Sequence, residues 1–424
     1  MMADKLILGE NCCYSMDSTQ TGLNNNVVLV GGSGSGKTTS YVEYRLLETN
    51  ERSLIVPITK RRILDKYRPF LEKKGYNVLE LNFASPAHGD VCFDPMFYVH
   101  SDQDKSFLSR SIVMANPQKS QPNNADPYWD MCSTSLFSSL IGLAFLRHRH
   151  KTRFSDVLSL YRELRPDFDT TPVTTELDDV FERVTCESPE SFTASCWMSF
   201  HSLPSKTAGS VLSTLNVTLD SLFTENLLLA MKTLPPVDIL RASMEKTVLF
   251  IVTSPVNPAM NSLVSLFYSM AIKALFEYAE SRPDGRLPLP VDILCDDFAT
   301  GGRILNFAEY ISIFREKGVS VSLLLQSESQ LEAMYGDTNA TTILNNCDSY
   351  VFFGGNDLLT AKNISYRLNA PLDEVLYMPI GKVIVFRRGQ RPVMTSRYNI
   401  LENPLYQKLT RSFEKRSQNK NILL

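Results

Sequence analysis

A glycine-rich stretch near the amino end carries the residues whose types and spacing most clearly indicate chemistry. Residues 28–41 read VLVGGSGSGKTTSY, and this stretch matches the pattern G-x-x-x-x-G-K-[S/T] through Gly31, Gly36, Lys37 and Thr38. The match lies between an apolar run and a predicted helix, where a phosphate-binding loop is expected. Glycines let successive backbone N–H groups point at phosphate oxygens, and the start of the helix adds a favourable dipole.

Each part of this loop has its own expected task. Lys37 would reach the β- and γ-phosphates of ATP, and the Thr38 hydroxyl would bind Mg²⁺. A glycine-rich turn with a chance lysine is the alternative, which the complete spacing and flanking segments disfavour. The predicted nucleotide-binding residues are Gly31, Gly32, Ser33, Gly34, Ser35, Gly36, Lys37, Thr38 and Thr39.

Two consecutive aspartates follow another apolar run. The segment VDILCDDFA places Asp296 at the end of a predicted buried strand, where a carboxylate could hold the metal ion, with Asp297 next to it. The second acid of such a pair usually orients the attacking water, and aspartate is shorter than the glutamate often found there. A turn at the strand end that uses aspartate for its hydrogen-bonding habits is the alternative interpretation.

Two further polar residues lie downstream at the ends of predicted elements. Arg315 ends a helix in FREKG, and Gln326 ends the next strand in SLLLQS. Ring ATPases use an arginine from one subunit to neutralise phosphate charge at a neighbouring site, and a polar residue at a strand end to sense the nucleotide. Spacing alone also allows Arg315 to be an ordinary surface arginine.

The surrounding elements alternate as expected for an α/β protein. Strand-like runs at 25–30, 53–58 and 77–83 alternate with helical segments, which predicts a mainly parallel sheet. Residues 104–240 have helical periodicity and almost no strand-like run, so we predict an inserted all-α domain there. The remaining predicted strands are 247–254, 291–295, 319–326 and 349–355, followed by a hairpin at 381–396 and a frayed basic tail at 411–424. The sheet domain is therefore assigned to 1–103 and 241–424.

The amino-acid composition limits which classes of protein this chain can belong to. The chain has 424 residues, 43% hydrophobic residues and a formal net charge of −3, which is ordinary for a folded protein and indicates no globally basic surface. Its eight cysteines show no CxxC pair, so no metal site with cysteine ligands is predicted. The amino end does not read as a secretory signal, and the apolar stretch 136–146 has about half the length of a membrane span. A cytoplasmic location without a membrane span is therefore expected.

Five segments together resemble the TraG-type coupling proteins of conjugative type IV secretion systems, closest to those of Gram-positive mobile elements. The resemblance runs from about Leu6 to Tyr398. It implies a RecA-like P-loop ATPase core with an inserted all-α domain, and a hexameric ring that drives single-stranded DNA, with its relaxase, into the secretion channel. The segments are NNNVVLVGGSGSGKTTSY, DPYWDMCSTSLFSSLI, ILCDDFAT, REKGVSVSLLLQSESQLEAMYG and ILNNCDSYVFFGGND.

The resemblance assigns roles and also exposes departures. Gly36, Lys37, Thr38 and Asp296 keep their roles, Arg315 matches the arginine finger and Gln326 the sensor, whereas Asp297 stands where the family usually has glutamate. The family typically reads Asp-Pro-Lys-Gly-Glu after the second strand, but residues 58–62 are ITKRR and retain only Lys60. The transmembrane helices that usually begin the family are absent from these residues. The chain is either a soluble fragment, with its anchor missing, or a naturally anchorless member at the cytoplasmic face of the membrane.

Three functions compete on this basis. The first is a DNA-translocating motor that works as a homo-hexamer and is monomeric in dilute solution. The second is a nucleotide-binding scaffold that recruits relaxosome or effector proteins to the channel with little or no ATP turnover, which the Asp297 and ITKRR departures favour. The third is a ring motor for chromosome or phage DNA, which leaves DPYWD and NNCDSYVFFGG unexplained.

Overall fold

The structure is a computed structural model, which describes residues 4–115, 127–148, 151–164, 176–254, 257–296, 298 and 303–422. These residues form a nine-stranded sheet with the strand order β11-β10-β9-β3-β8-β7-β4-β6-β5. Its strands are β3 (Val27–Val30), β4 (Ser53–Ile58), β5 (Asn77–Asn82), β6 (Thr247–Val252), β7 (Val291–Cys295), β8 (Val319–Leu325), β9 (Ser349–Phe352), β10 (Lys382–Arg387) and β11 (Val393–Ser396).

Seven neighbouring strands of this sheet, from β9 to β5, are parallel, whereas β10 and β11 run antiparallel at one edge. The parallel strands are almost entirely buried, because helices cover both faces, and this explains their continuous apolar runs. Along β3, Val28 and Val30 face one hydrophobic cluster and Val27 and Leu29 face the other, as the two-residue period of a strand requires. The α/β prediction and the final hairpin are confirmed.

Among the described residues between β5 and β6, most lie in helices, and short loops and two isolated bridges, at Val91 and Cys92, account for the rest. These helices pack over one face of the sheet and share its hydrophobic cluster with residues of β3, β7 and β8. They are α4 (Asp102–Met114), α5 (Pro127–His148), α6 (Phe154–Glu163), α7 (Glu176–Glu187), α8 (Phe192–His201), α9 (Ser205–Leu222) and α10 (Glu225–Thr233).

Helix α5 is long and apolar enough to cross a membrane by length and composition, and 61% of its most apolar window is buried. It packs against α4 and α8, and Leu136, Phe137, Leu140 and Ile141 have no exposed surface. This burial is typical of the central helix of a helical layer.

The other helices pack on the sheet or connect its strands. Their ranges are α1 (Ser18–Thr21), α2 (Glu43–Glu48), α3 (Arg61–Lys73), α11 (Pro258–Ser281), α12 (Phe307–Lys317), α13 (Glu328–Tyr335), α14 (Asp337–Asn345), α15 (Leu358–Leu368), α16 (Leu372–Leu376) and α17 (Pro404–Ile422). The prediction of a frayed tail from 411 was wrong, because α17 extends to Ile422. Its first turns are anchored by buried Tyr406 and Leu409, and the Lys66 ammonium lies 3.6 Å from the Tyr406 ring centroid.

The sequence pattern did not predict a short hairpin that precedes β3. It consists of β1 (Lys5–Gly9) and β2 (Cys12–Ser15), paired antiparallel. The backbone N–H of Glu10 donates to the Ser396 carbonyl at 2.8 Å, and the Thr395 hydroxyl donates to the Glu10 carbonyl. The hairpin therefore lies against the outer strand β11.

A buried ionic network ties the amino ends of the central strands together. Asp292 of β7 pairs with both Arg45 and Arg52, the latter at 2.7 Å, and also accepts from the Ser320 hydroxyl. Arg52 donates in turn to Asp4 at 2.9 Å. Burial alone would raise the pKa of Asp292, but the two arginines outweigh burial and hold that pKa below its usual value.

We expect Asp292→Asn to lower the free energy of unfolding by about 3–5 kcal/mol, because the change leaves buried arginines without their shared carboxylate. Since the pKa of Asp292 is depressed in the folded state, its stabilisation is present above about pH 3.9 and is lost as the pH falls through the folded-state value. Urea unfolding at pH 7 and at acidic pH measures both effects. Asp284→Asn, at an exposed ion pair, is the matched control and should cost under about 1 kcal/mol. Equal costs for the two variants would contradict the prediction.

Candidate functional site

The glycine-rich loop is fixed in place by the strands on both sides of β3. The backbone N–H of Gly31 donates to the Leu325 carbonyl at the end of β8, at 3.1 Å. The N–H of Gly32 donates to the Gly354 carbonyl, just beyond β9, also at 3.1 Å. The loop therefore projects from the carboxyl edge of the parallel sheet, where α/β proteins place their ligands.

The loop needs glycine at two positions because of its backbone conformation. Gly34 and Gly36 have φ angles of 74° and 94°, which residues with side chains rarely adopt. Directly after the loop, a π-helical turn (Thr38–Val42) leads into α2, and the N–H of Ser40 donates to the Gly36 carbonyl at 2.9 Å. The predicted arrangement of strand, curled loop and helix is present.

Lys37 extends back over its own loop. Its side chain is buried, and its ammonium group donates to the Gly31 carbonyl and, at 3.2 Å, to the Gly32 carbonyl. The charge therefore lies at the mouth of the loop, where an anionic group enclosed by the loop amides would meet it.

Thr38 and Asp296 meet across the site although they lie 258 positions apart in the chain. The Thr38 hydroxyl donates to Oδ2 of Asp296 at 3.0 Å. Asp296 follows β7, which is separated from β3 only by β8, so the parallel register brings the strand end to the loop. A hydroxyl and a carboxylate oxygen are ligands suited to Mg²⁺. Burial and the Asp296 charge also raise the pKa of the neighbouring Cys295 thiol, which stays protonated.

Gln326 lies at the same edge of the sheet as the loop. It follows Leu325, whose carbonyl accepts from Gly31, so its position is at the end of the strand between the loop and Asp296. Asp297 lies outside the residues that the structure describes, and its predicted role stays a prediction.

Arg315 lies on the side of the sheet where the parallel strands begin, opposite the glycine-rich loop. It lies in the last turn of α12, shortly before β8 begins, and its guanidinium donates to the Ser18 carbonyl at 3.2 Å. Together with Arg286, it lines a cavity of about 410 Å³ at the amino ends of the strands. The structure therefore does not bring Arg315 to the loop of its own chain, and a shared role requires a second subunit.

The ITKRR segment follows β4 at the carboxyl edge. Ile58 is buried at the strand end, whereas Lys60 and Arg62 are exposed. Arg61 pairs with buried Glu80 at 3.0 Å, and the Arg62 guanidinium lies 5.6 Å from the Phe413 ring centroid. Of the two positions where the resemblance would place acids, one thus holds the buried Ile58 and the other the exposed Arg62.

Sequence reasoning missed Arg397, whose guanidinium reaches the loop. Arg397 directly follows β11, and its Nη1 donates to the Ser35 carbonyl at 2.7 Å. The guanidinium lies so close to Gly36 that a Cβ there would overlap it. No motif or spacing marks this residue, because it reaches the loop through the geometry of the final hairpin, 362 positions later in the chain.

A glycine-rich loop between a buried strand and a helix, with a carboxylate from a nearby parallel strand beside its threonine, defines a P-loop NTPase fold with an added helical region. The family model for conjugative DNA transfer by the type IV secretory system matches residues 2–370, and the chain belongs to this family. The resemblance to TraG-type coupling proteins is thereby confirmed.

Solved structures support the same fold. The plasmid coupling protein TrwB in complex with ADP and Mg²⁺ is similar with a TM-score of 0.69 and 16% identity, over 94% of this chain and 89% of that one. TrwB with the ATP analogue ADPNP gives 0.66 and 16%, over 88% and 85%. VirB4 of Thermoanaerobacter pseudethanolicus gives 0.56 and 13%, over 96% and 99%. No curated sequence is significantly similar to this chain.

Proposed function

We propose that this protein is an ATPase that drives single-stranded DNA, together with its relaxase, into a conjugative type IV secretion channel. The observation that carries the proposal is the pairing of Thr38 with Asp296 beside the Lys37 ammonium at the carboxyl edge of the sheet. This arrangement has the parts that P-loop enzymes use for phosphoryl transfer. Membership in the conjugative DNA transfer family supports the choice of substrate.

The residues of the site fit ATP with Mg²⁺. The loop has the curled glycine backbone that directs amide N–H groups at phosphates. Among the described residues, the buried Ser35 hydroxyl oxygen has no hydrogen-bond partner, as expected of a polar atom that a ligand would satisfy. Thr38 and Asp296 would hold Mg²⁺, which when bound neutralises charge on the β- and γ-phosphates.

Each polar side chain of the site would have a separate role in ATP hydrolysis. Lys37 would leave the loop carbonyls and donate to the β- and γ-phosphate oxygens, while Asp296 keeps the Thr38 hydroxyl oriented. Asp297 would accept a proton from the attacking water or orient that water, and Gln326 would sense the γ-phosphate from the end of β8.

Arg315 would act on the site of a neighbouring subunit. Arg315 lies at the amino ends of the strands, opposite the loop. This position suits a closed ring in which the side of one subunit that bears Arg315 faces the side of the next subunit that bears the loop. We propose a homo-hexamer at the cytoplasmic face of the membrane, held there by channel proteins or by an anchor. In dilute solution a monomer is expected.

A second function is a scaffold that binds nucleotide, recruits substrates to the channel and turns over little ATP. Ile58 and Arg62 at the carboxyl end of β4 favour it, since the resemblance would place an acid at each of these two positions. The shorter carboxylate at position 297 favours it as well.

ATPase activity measured with and without single-stranded DNA separates the two functions. For the motor we expect phosphate release that rises severalfold with single-stranded DNA of any sequence, because the contacts are to the backbone and to stacked bases. DNA binding should weaken steeply as salt rises, since basic residues would displace counterions from phosphates. Nucleotide binding without turnover, unchanged by DNA, would contradict the motor and support the scaffold.

A further inference from the structure

Arg397 is placed beside the loop by a fixed scaffold. Its own backbone N–H donates to the Gly381 carbonyl at 2.8 Å, directly before β10, and it follows the last residue of β11. Its side chain is half-buried and crosses to the loop, where it donates to Ser35 and covers Gly36. The antiparallel strands β10 and β11 thus place the planar guanidinium of Arg397 beside the P-loop.

The contact lies on the outside of the phosphate cradle. The peptide between Ser35 and Gly36 is trans, so its carbonyl and its N–H point in opposite directions. If the Gly36 N–H points at phosphate, the Ser35 carbonyl points away from it. The Arg397 guanidinium, which is bound to that carbonyl, therefore lies outside the ring of amides and does not occupy the phosphate position.

The strand order indicates which end of a nucleotide Arg397 would meet. The residues suited to the metal ion and the terminal phosphate, Asp296 and Gln326, follow β7 and β8 on one side of β3. Arg397 approaches from β11, on the other side of β3, beyond β9 and β10. A nucleotide with its γ-phosphate toward β7 directs its sugar and base toward the side of Arg397.

We propose that Arg397 is a nucleoside-contacting residue, which packs its guanidinium plane against the base while one N–H stays on the Ser35 carbonyl. The inference rests on the proposed nucleotide site. A guanidinium has five donors and a flat face that stacks on aromatic rings, whereas a lysine has no such plane. ADP and ATP have the same base, so a contact between Arg397 and the base would strengthen the binding of both nucleotides equally.

Calorimetric titration of the full chain with ADP and with a non-hydrolysable ATP analogue, each with Mg²⁺, tests this role. We expect Arg397→Gln to weaken both ligands by the same factor, about fivefold to tenfold, as loss of a stacked cation predicts. Arg397→Lys should remain weak, since it keeps the charge and a donor for Ser35 but loses the plane. Arg391→Gln, an exposed arginine on the turn before β11, is the matched control and should bind as wild type.

Three results would overturn the proposal. Wild-type affinity in Arg397→Lys would mean that the residue only holds the loop in shape through the Ser35 carbonyl. A larger loss for the ATP analogue than for ADP would assign Arg397 to the γ-phosphate. Unchanged affinity in Arg397→Gln would remove it from the site. Failure of wild type to bind either ligand would instead refute the nucleotide site itself, which distinguishes the two failures.

Discussion

A Lys37→Ala variant is expected to lose ATP turnover by at least about a hundredfold while it keeps its fold. The ammonium group rests on the Gly31 and Gly32 carbonyls and faces the space that the loop encloses. Its removal takes away a charge that stabilises the phosphates most strongly as the bond to the γ-phosphate breaks. Phosphate release under saturating ATP measures the loss, and circular dichroism with a urea titration measures the fold.

Lys362→Ala is the matched control for this change. Lys362 is an exposed lysine of α15, so its removal deletes the same charge from the protein without touching the loop. We expect wild-type turnover from it. Turnover by Lys37→Ala within about twofold of wild type would exclude the loop as the site of hydrolysis.

A mixture of Lys37→Ala and Arg315→Ala subunits is expected to recover activity that neither variant has alone. Arg315 lies at the amino ends of the strands and the loop at their carboxyl ends, so each complete site would combine the loop of one subunit with the arginine of its neighbour. In randomly mixed 1:1 rings, about a quarter of the sites join an intact loop to an intact arginine. Turnover of the mixture should therefore approach about a quarter of the wild-type value.

The control for mixing replaces the Lys37→Ala partner with a double variant that also carries Arg315→Ala. This partner supplies no arginine, so the mixture should stay inactive at every protein concentration. Cross-linking or native mass spectrometry establishes that mixed rings form. If mixed rings of Lys37→Ala and Arg315→Ala subunits form but recover no activity, the shared site is excluded. Full activity of Arg315→Ala by itself would exclude it as well.

The parts of the site that lie on one continuous segment were predictable from sequence. The loop from Gly31 to Thr38 is a local motif, and glycine is required at Gly34 and Gly36 by the backbone angles that the structure shows. Asp296 was predictable as a strand-end carboxylate, because parallel strands bring their carboxyl ends to one edge. Its contact with Thr38 agrees with the predicted pair of metal ligands.

Other features depend on packing between segments that are distant in the chain. Arg397 reaches the loop only because β10 and β11 fold back beside β9, and no local pattern reports that contact. Pro69 lies inside α3, which continues through it with Tyr67 and Leu71 buried on the sheet side. Tertiary burial outweighed the lost backbone hydrogen bond there.

The position of β3 in the sheet has a consequence for how the chain folds during synthesis. Val27 pairs with Ser322 on one side and Ser349 on the other, so the strand that bears the loop finds both partners only after most of the chain has left the ribosome. Until then an apolar strand with two open edges is exposed, a state that invites aggregation. Contacts so distant in sequence also slow folding, because the entropy of closing the intervening chain is lost first. A chain cut before β9 would leave β3 at an open edge of the sheet, and the Gly32 amide would lose the Gly354 carbonyl to which it donates.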